Sequence, residues 1–251
     1  MSELHRIKTP IANLLDDAGG ALGRQLLFGE GFHISKIRNG WAEGYRHSDG
    51  YKGYVALEAL ADWIEPTNRV SNLGAHVYPA PDIKTVPVMH LPYQADVTIV
   101  GEDGPFTELA GGGFVHKQQL ENLTDLEPDY VCTAERFMGT PYLWGGNSQY
   151  GIDCSGLISA GLKGAGYKCA ADSADQEATL GVLLNDENAL QRGDLIFWKG
   201  HVGFMASSTL LLHANAYHMK VVDEPLAQAE TRILATGGGA VTSRKRLMIE
   251  Y

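Results

Sequence analysis

Cysteine and histidine are the residue types of this chain best able to do nucleophilic chemistry, and one of its three cysteines has a favourable setting. Cys154 follows Asp153, a good helix N-cap, and begins a segment whose apolar residues recur near helical spacing. In a first helical turn, unpaired backbone N–H groups and the helix dipole stabilise a thiolate and can bind an oxyanion. We therefore predict that Cys154 is a nucleophile and that Cys132 and Cys169 are small buried apolar residues.

A cysteine nucleophile needs a proton carrier for the leaving amine, and histidine is the usual one. His201 and His213 flank the residues 207–209, which separate two apolar segments. A hairpin centred near Ser207 would place the two histidines opposite each other, with Cβ atoms roughly 5 Å apart. His201 is then the predicted general base and His213 the group that orients it. The alternative is a pair of surface histidines, and the upstream Cys154 favours the catalytic interpretation.

The second half of the chain has a pattern of helices followed by strands. Apolar spacing predicts helices over 130–137 and 154–165, with Gly166 ending the second. Strands are predicted over 194–198, 202–206, 210–214 and 246–250. This order predicts an α+β domain.

Residues 1–120 contain short alternating runs with many glycines and aromatic residues, a pattern typical of small β-barrels. The segment 53–60 is echoed by 113–120, and 27–34 is echoed by 92–99. Two copies of one small barrel explain this repeat, and the alternative is chance similarity of short β segments. With the polar segment 121–129 as a linker, the predicted domains are a first barrel with its N-terminal segment over 1–64, a second barrel over 65–121 and an α+β domain over 122–251.

Composition and charge narrow the classes of partner. The net charge of −10 makes nucleic acid an unexpected partner, because an acidic surface repels phosphate backbones. Apolar runs are only a few residues long, so no membrane association is expected. Sparse cysteines without a CxxC pair, and an N-terminal segment with early charges, predict no disulfides, no secretory signal and a cytoplasmic location. The remaining histidines lack metal-ligand spacing, so neither a metal nor another cofactor is expected.

Several short motifs stand in the second half of the chain, at 139–147, 153–157, 192–197, 201–203 and 213–214. In this order they resemble the NlpC-type family of bacterial cell-wall peptidases. The resemblance implies a papain-like cysteine peptidase domain whose catalytic triad is Cys154, His201 and His213.

The resemblance also implies binding residues close to the nucleophile. Tyr142 is expected beside Cys154, where its hydroxyl can assist the oxyanion. Trp144 is implied equally as a binding residue and as a packing aromatic. Asp153 and Ser155 flank the nucleophile and would face substrate, although Asp153 could serve only as the helix cap.

A further block, Asp172 and Ser173, resembles the family's Arg-Asp-Ser motif, with Ala171 in place of the arginine. The resemblance implies that these two residues contact the amine and the D-Glu carboxylate of a murein-derived peptide.

The first half of the chain resembles the paired bacterial SH3-like domains that precede one branch of the family, on the segments 27–30 and 49–54. That branch comprises γ-D-glutamyl-L-diamino-acid endopeptidases of murein-peptide recycling, which act on peptides with a free N-terminal L-Ala. Glu30, with Tyr51 as its partner, is the candidate for pairing with that ammonium group. The alternative for Glu30 is a solvated surface carboxylate.

Two other functions remain open beside this one. A secreted murein hydrolase could use the SH3-like domains as wall anchors, and a non-catalytic peptide-binding module could keep the same fold. The expected lack of a secretory signal counts against the first. The presence of Cys154, His201 and His213 together counts against the second.

Overall fold

The computed structural model describes residues 3–185 and 187–248. Internal contacts divide the chain into two compact units, Met1–Asp125 and Leu126–Tyr251. The division falls within the segment 121–129, which the sequence predicts to be a linker. Within the described ranges, every helix is too short or too polar to cross a bilayer.

One antiparallel sheet forms the first part of the N-terminal unit. Its strands are β1 Glu3–Ile7, β2 Ile11–Leu15, β3 Leu22–Leu27, β4 Gly31–Arg38, β5 Trp41–Arg46, β6 Lys52–Ala56 and β7 Leu60–Asp62. Their order across the sheet is β3-β2-β6-β5-β4-β1-β7. Alternate residues of the strands point inward, so Leu14, Leu26, Phe32 and Val55 form a buried apolar core.

Eight shorter strands form the second part of the N-terminal unit. They are β8 Asn68–Val70, β9 Gly74–Val77, β10 Met89–Pro92, β11 Asp96–Val97, β12 Ile99–Asp103, β13 Phe106–Leu109, β14 Phe114–His116 and β15 Leu120–Asn122. They pair as three small sheets, β10-β9, β11-β8-β15 and β12-β13-β14. Val70, Leu91 and Val115 belong to a second apolar core, distinct from the first.

The two parts of this unit repeat the same local structure, as the sequence predicts. A 3₁₀ helix, Leu57–Ala59, joins β6 to β7, and another, Lys117–Gln119, joins β14 to β15 at the aligned position. Gly29 and its aligned residue Gln94 both have positive φ angles, of 82° and 63°. The hydrogen bond from Ile7 N to Glu30 O has its counterpart from Val70 N to Ala95 O, each 2.9 Å long.

Over its described residues, 126–185 and 187–248, the C-terminal unit combines four α-helices with antiparallel β-strands. The helices are α1 Tyr130–Glu135, α2 Cys154–Gly164, α3 Ser173–Thr179 and α4 Leu226–Ala235. The strands are β16 Asn147–Ser148, β17 Gly151–Ile152, β18 Val182–Leu183, β19 Leu195–Trp198, β20 His201–Met205, β21 Leu210–Asn215, β22 Lys220–Pro225 and β23 Ser243–Arg246. Six of them form one sheet in the order β18-β23-β19-β20-β21-β22. The predicted α+β fold is therefore confirmed.

Helices cover both faces of this sheet. Helix α2 packs against β20, and its Gly161 approaches the ring of Phe204 so closely that a Cβ there would lie 3.0 Å from it. Helix α4 packs against β21 and β22, and its Ile233 joins the apolar cluster that contains Met205 and Leu211. Since side chains alternate along a strand, α2 and α4 lie on opposite faces.

Some predicted elements need correction. The strand predicted over 246–250 begins earlier, because β23 covers Ser243–Arg246, where it pairs with β19; residues 249–250 lie outside the described residues. Helices α3 and α4 were not predicted. α4 follows Pro225 directly, and its buried residues Leu226, Ala229 and Ile233 do have helical spacing.

Candidate active site

Cys154 is the first residue of α2, and Asp153 is the N-cap. The Asp153 carboxylate accepts hydrogen bonds from Gly156 N at 2.6 Å, Gly145 N at 2.8 Å and Ser155 Oγ at 3.1 Å. It therefore ties the loop before the helix to the first helical turn. Cys154 is 8% exposed, so the residue is largely but not completely buried. A predicted substrate contact by Asp153 or Ser155 stays a prediction.

The loop before Cys154 is pinned to the turn between β21 and β22. Tyr142 pairs with Ile152, two residues before the cysteine, and Tyr142 N donates to Met219 O at 3.0 Å. Pro141 forms a bridge with Lys220, the first residue of β22. Since β20 begins beside the end of β21, these contacts bring the start of α2 to the end of the sheet that carries His201.

His201 and His213 are joined by a 2.8 Å contact between His201 Nε2 and His213 Nδ1. The predicted register is wrong by two residues, because Phe204 pairs with Leu212 and the continuing register places Gly203, two residues after His201, opposite His213. The two histidines are thus diagonal neighbours on one face, which rings of this size can still bridge. A Cβ on residue 203 would lie 3.0 Å from the His213 Cβ. Glycine at this position leaves room for the two rings.

Both histidines are held in a neutral form by their surroundings. Burial, and then the adjacent His213, lower the pKa of His201 to about 3. The Trp198 indole lies against the His201 ring, with ring centroids 5.6 Å apart. Burial also lowers the pKa of His213. A neutral His201 can accept a proton from a thiol, which is the property that a general base needs.

Two charged residues that the sequence did not single out complete this cluster. Glu224 Oε1 lies 2.8 Å from His213 Nε2, and Arg232 Nη2 donates to the same Glu224 oxygen. Desolvation alone would raise the pKa of Glu224, but the hydrogen bonds from His213 and Arg232 outweigh it and lower that pKa to about 2. No short motif marks Glu224, and α4, which carries Arg232, was not predicted.

The aromatic residues before the nucleophile have different environments. Burial, with the nearby Cys154 and Asp153, raises the pKa of Tyr142 to about 12. Its hydroxyl therefore keeps its proton and can donate a hydrogen bond. Trp144 is 67% exposed, so packing in the core is not its role.

Helix α3 places the predicted Asp172 and Ser173 near the first turn of α2. Asp172 is the N-cap residue of α3 and Ser173 its first residue. One turn later, the buried Gln176 donates from Nε2 to Ser155 O at 3.0 Å and to Ala170 O at 2.9 Å. This side chain ties the two helices together, whereas the substrate contacts of Asp172 and Ser173 stay predictions.

Glu30 and Tyr51 lie in the N-terminal unit. Glu30 is half-buried at the turn before β4, and its Oε2 accepts a hydrogen bond from Leu27 N at 3.0 Å. Tyr51 is partly buried against the apolar core of the first sheet. Their part in substrate binding stays a prediction. Within residues 3–185 and 187–248, no group of three or more side chains could hold a metal ion.

A cysteine in the first turn of a helix, at the end of a sheet that carries a coupled pair of histidines, is the arrangement of a papain-like cysteine peptidase. Comparison with protein families agrees. A model described as NlpC/P60 family matches residues 139–233, and one described as bacterial dipeptidyl-peptidase Sh3 domain matches residues 14–60.

Individual proteins show the same relationship. The chain is 41% identical over 216 residues to the gamma-D-glutamyl-L-lysine dipeptidyl-peptidase of Bacillus subtilis, covering 76% of this chain and 71% of that protein. It is 29% identical over 238 residues to dipeptidyl-peptidase 6 of Lysinibacillus sphaericus, covering 83% and 87%. The crystal structure of an NlpC/P60 family protein from Bacillus cereus has the same fold, with a TM-score of 0.80, 21% identity and coverage of 98% and 100%. This chain belongs to the NlpC/P60 family and is a cysteine peptidase.

Proposed function

We propose that this chain hydrolyses the amide bond between the γ-carboxyl group of D-Glu and the following diamino acid in murein peptides with a free N-terminal L-Ala. The observation that carries the proposal is the 2.8 Å coupling of His201 to His213 at the end of the sheet, beside the helix that begins with Cys154. The name of the Bacillus subtilis relative supports the bond, since it specifies γ-D-glutamyl-L-lysine. A dipeptidyl-peptidase releases an N-terminal dipeptide, which here would be L-Ala-γ-D-Glu.

The residues of the site supply each step of this reaction. Cys154 Sγ attacks the γ-carbonyl carbon while its proton passes to His201. The backbone N–H groups at the start of α2 and the Tyr142 hydroxyl stabilise the oxyanion. The carbon–nitrogen bond then breaks, and His201 returns the proton to the leaving amine. Water hydrolyses the thioester, which releases the dipeptide and restores the thiol.

Substrate recognition is assigned from the sequence. Glu30, Tyr51 and Asp172 would hold the free amine, while Ser155 and Ser173 would hold the D-Glu carboxylate. The tie between α2 and α3 through Gln176 supports the last pair, because it joins the Ser155 backbone to the helix that begins with Ser173. Trp144 lies in the segment that precedes Cys154, and its side chain is exposed. It would cover the bound peptide. A small soluble peptide as substrate fits a role in murein-peptide recycling in the cytoplasm.

Product analysis tests the proposal. Purified protein is incubated with L-Ala-γ-D-Glu-L-Lys and with the diaminopimelate analogue, and products are identified by mass spectrometry. We expect release of the free diamino acid and of L-Ala-γ-D-Glu. Cys154→Ala should abolish release, whereas the control Cys132→Ala should not, because the Cys132 thiol contacts Asp129 at 3.3 Å instead of the histidine pair.

Two further substrates define the specificity. Acetylation of the L-Ala amine should prevent turnover, and unchanged turnover of the acetylated peptide would contradict recognition of the free amine. Efficient release of soluble fragments from intact sacculi would favour a wall hydrolase over the recycling role.

A further inference from the structure

The buried side of His213 faces a carboxylate that neither the motifs nor the proposed mechanism uses. His213 is fully buried, and both of its ring nitrogens have close partners. Nδ1 lies 2.8 Å from His201 Nε2, and Nε2 lies 2.8 Å from Glu224 Oε1. Glu224 belongs to β22, where it pairs with Leu211, so it is the diagonal neighbour of His213 on the next strand. His201, His213 and Glu224 therefore form one chain of contacts across three adjacent strands.

The chemistry of Glu224 fixes the direction of every hydrogen bond in this chain. An ionised carboxylate only accepts, so His213 Nε2 must carry the proton that it donates to Glu224. A neutral imidazole has one protonated nitrogen, so His213 Nδ1 must accept, and His201 Nε2 must donate to it. The proton of His201 is then on Nε2, and its Nδ1 is the nitrogen left to accept a proton from Cys154 Sγ.

A neighbouring amide favours the opposite arrangement. Asn215 Nδ2 lies 2.9 Å from His213 Nε2, and Asn215 Oδ1 is already engaged as an acceptor from His218 N at 2.8 Å. A bond from Asn215 Nδ2 would require a bare His213 Nε2, with the proton on Nδ1. His201 Nε2 would then have to accept, which would leave the His201 proton on Nδ1 and block its use as a base.

The charge on Glu224 decides between these two arrangements. A hydrogen bond to an ionised acceptor is about twice as strong as one between neutral groups. Arg232, from α4, donates to the same Glu224 oxygen, and the side chains of Glu224 and Arg232 are only 12% and 17% exposed. The Arg232 guanidinium also lies over the Tyr217 ring, 4.5 Å from its centroid, which holds it in place.

We propose that Glu224, held by Arg232, is a positioning residue that selects the tautomer of His213 and thereby the tautomer in which His201 can act as a base. Glu224 touches neither substrate nor the nucleophile in this role and acts through the two histidines. The inference rests on the proposed function only in taking His201 as the base for Cys154.

Glu224→Gln tests this role because it keeps the shape of the side chain and removes its charge. We expect kcat for the tripeptide to fall at least tenfold, but by no more than the roughly 10²–10⁴-fold that a general base contributes, with little change in KM. Glu230→Gln is the matched control, because Glu230 on α4 also pairs with an arginine, Arg244, at 2.9 Å. The control should keep wild-type kcat.

Nitrogen-15 NMR of the histidine rings supplies a readout that loss of packing would not mimic. In the wild type, both His201 and His213 should carry their proton on Nε2, and in Glu224→Gln the His213 proton should shift toward Nδ1. Unchanged tautomers in Glu224→Gln, whatever happens to kcat, would overturn the inference. Because the NMR measurement needs no substrate, a wild-type protein that fails to cleave the tripeptide but shows the expected tautomers would refute the proposed function and leave this inference standing.

Discussion

His201 lies beside the Trp198 indole and the His213 ring, and this environment links the protonation of its imidazole to the stability of the fold. Burial lowers the pKa of His201 to about 3, whereas in the unfolded chain an imidazole has its ordinary value near 6.5. As the pH falls below 6.5, the unfolded chain binds a proton that the folded protein excludes. The stability associated with neutral His201 is therefore complete above pH 6.5 and is lost progressively as the pH falls toward 3.

This linkage gives a prediction for the free energy of unfolding. Between pH 7 and pH 5 the wild type should lose on the order of 2 kcal/mol through His201, and His201→Gln should lose correspondingly less over the same interval. Urea unfolding at the two pH values measures the difference. His5→Gln, which changes a histidine of the other unit, is the control. An equal loss in the wild type and in His201→Gln would contradict the assigned burial of this ring.

The sequence identifies some residues of the site and misses others. Cys154 could be found because a cap and a helical pattern are local signals, and His201 because it begins an apolar strand. Glu224 and Arg232 could not be found, because their role depends on the pairing of β21 with β22 and on the packing of α4. The spacing of residues along the sequence does not predict such long-range contacts.

At the scale of elements, two glycines with similar backbone angles have very different surroundings. Gly29 has a φ of 82°, and a Cβ there would lie 2.0 Å from the backbone oxygen of Asp96. Asp96 begins β11, in the second part of the N-terminal unit. Gly40 has a φ of 80° in the turn between β4 and β5, with open space around it. A side chain at either position would force the backbone into a strained left-handed conformation. Only at position 29 would its Cβ also clash with a neighbouring backbone atom.

The pair of substitutions Gly29→Ala and Gly40→Ala separates these effects. Gly40→Ala should cost about 1 kcal/mol, the strain of a left-handed alanine less its entropic gain. Gly29→Ala should cost at least about 3 kcal/mol, because two backbone segments must move apart. Urea unfolding monitored by circular dichroism measures both. Equal losses in the free energy of unfolding for the two variants would contradict the close contact between Gly29 and the Asp96 backbone.

Element types were easier to predict than the pairing between them. Helix α2 and strands β19, β20 and β21 have clear apolar patterns, and the structure contains them within a residue or two of the predicted bounds. The predicted register of β20 on β21 differs from the observed one by two residues. The cause is the turn, since its sequence 207–209 does not specify which residue lies at its centre, and a short run of apolar residues fits either register.

At the scale of the whole molecule, the repeat within the N-terminal unit was visible because the two copies share turn geometry. Gln94 replaces Gly29 at an aligned turn with positive φ, and Ala95 replaces Glu30. Since the backbone hydrogen bond at this turn forms in both copies, the Glu30 carboxylate is not needed for the turn itself. The binding of an amine by Glu30 stays a prediction.

The sequence predicts only part of what each of the two units does. The peptidase motifs identify the C-terminal unit, and the SH3-like segments identify part of the N-terminal unit. The choice of substrate depends on how side chains meet a bound peptide, and sequence spacing does not encode that. Specificity for the free amine therefore stays a prediction. The cytoplasmic location also stays a prediction.

Trapping of the covalent intermediate tests the central claim most directly. The wild-type protein is mixed rapidly with L-Ala-γ-D-Glu-L-Lys, quenched in acid and analysed by intact and peptide mass spectrometry. The account predicts a thioester of the L-Ala-γ-D-Glu dipeptide on Cys154, with its decay matched to product release. Turnover with no adduct on Cys154, or an adduct on Cys132 or Cys169, would contradict it.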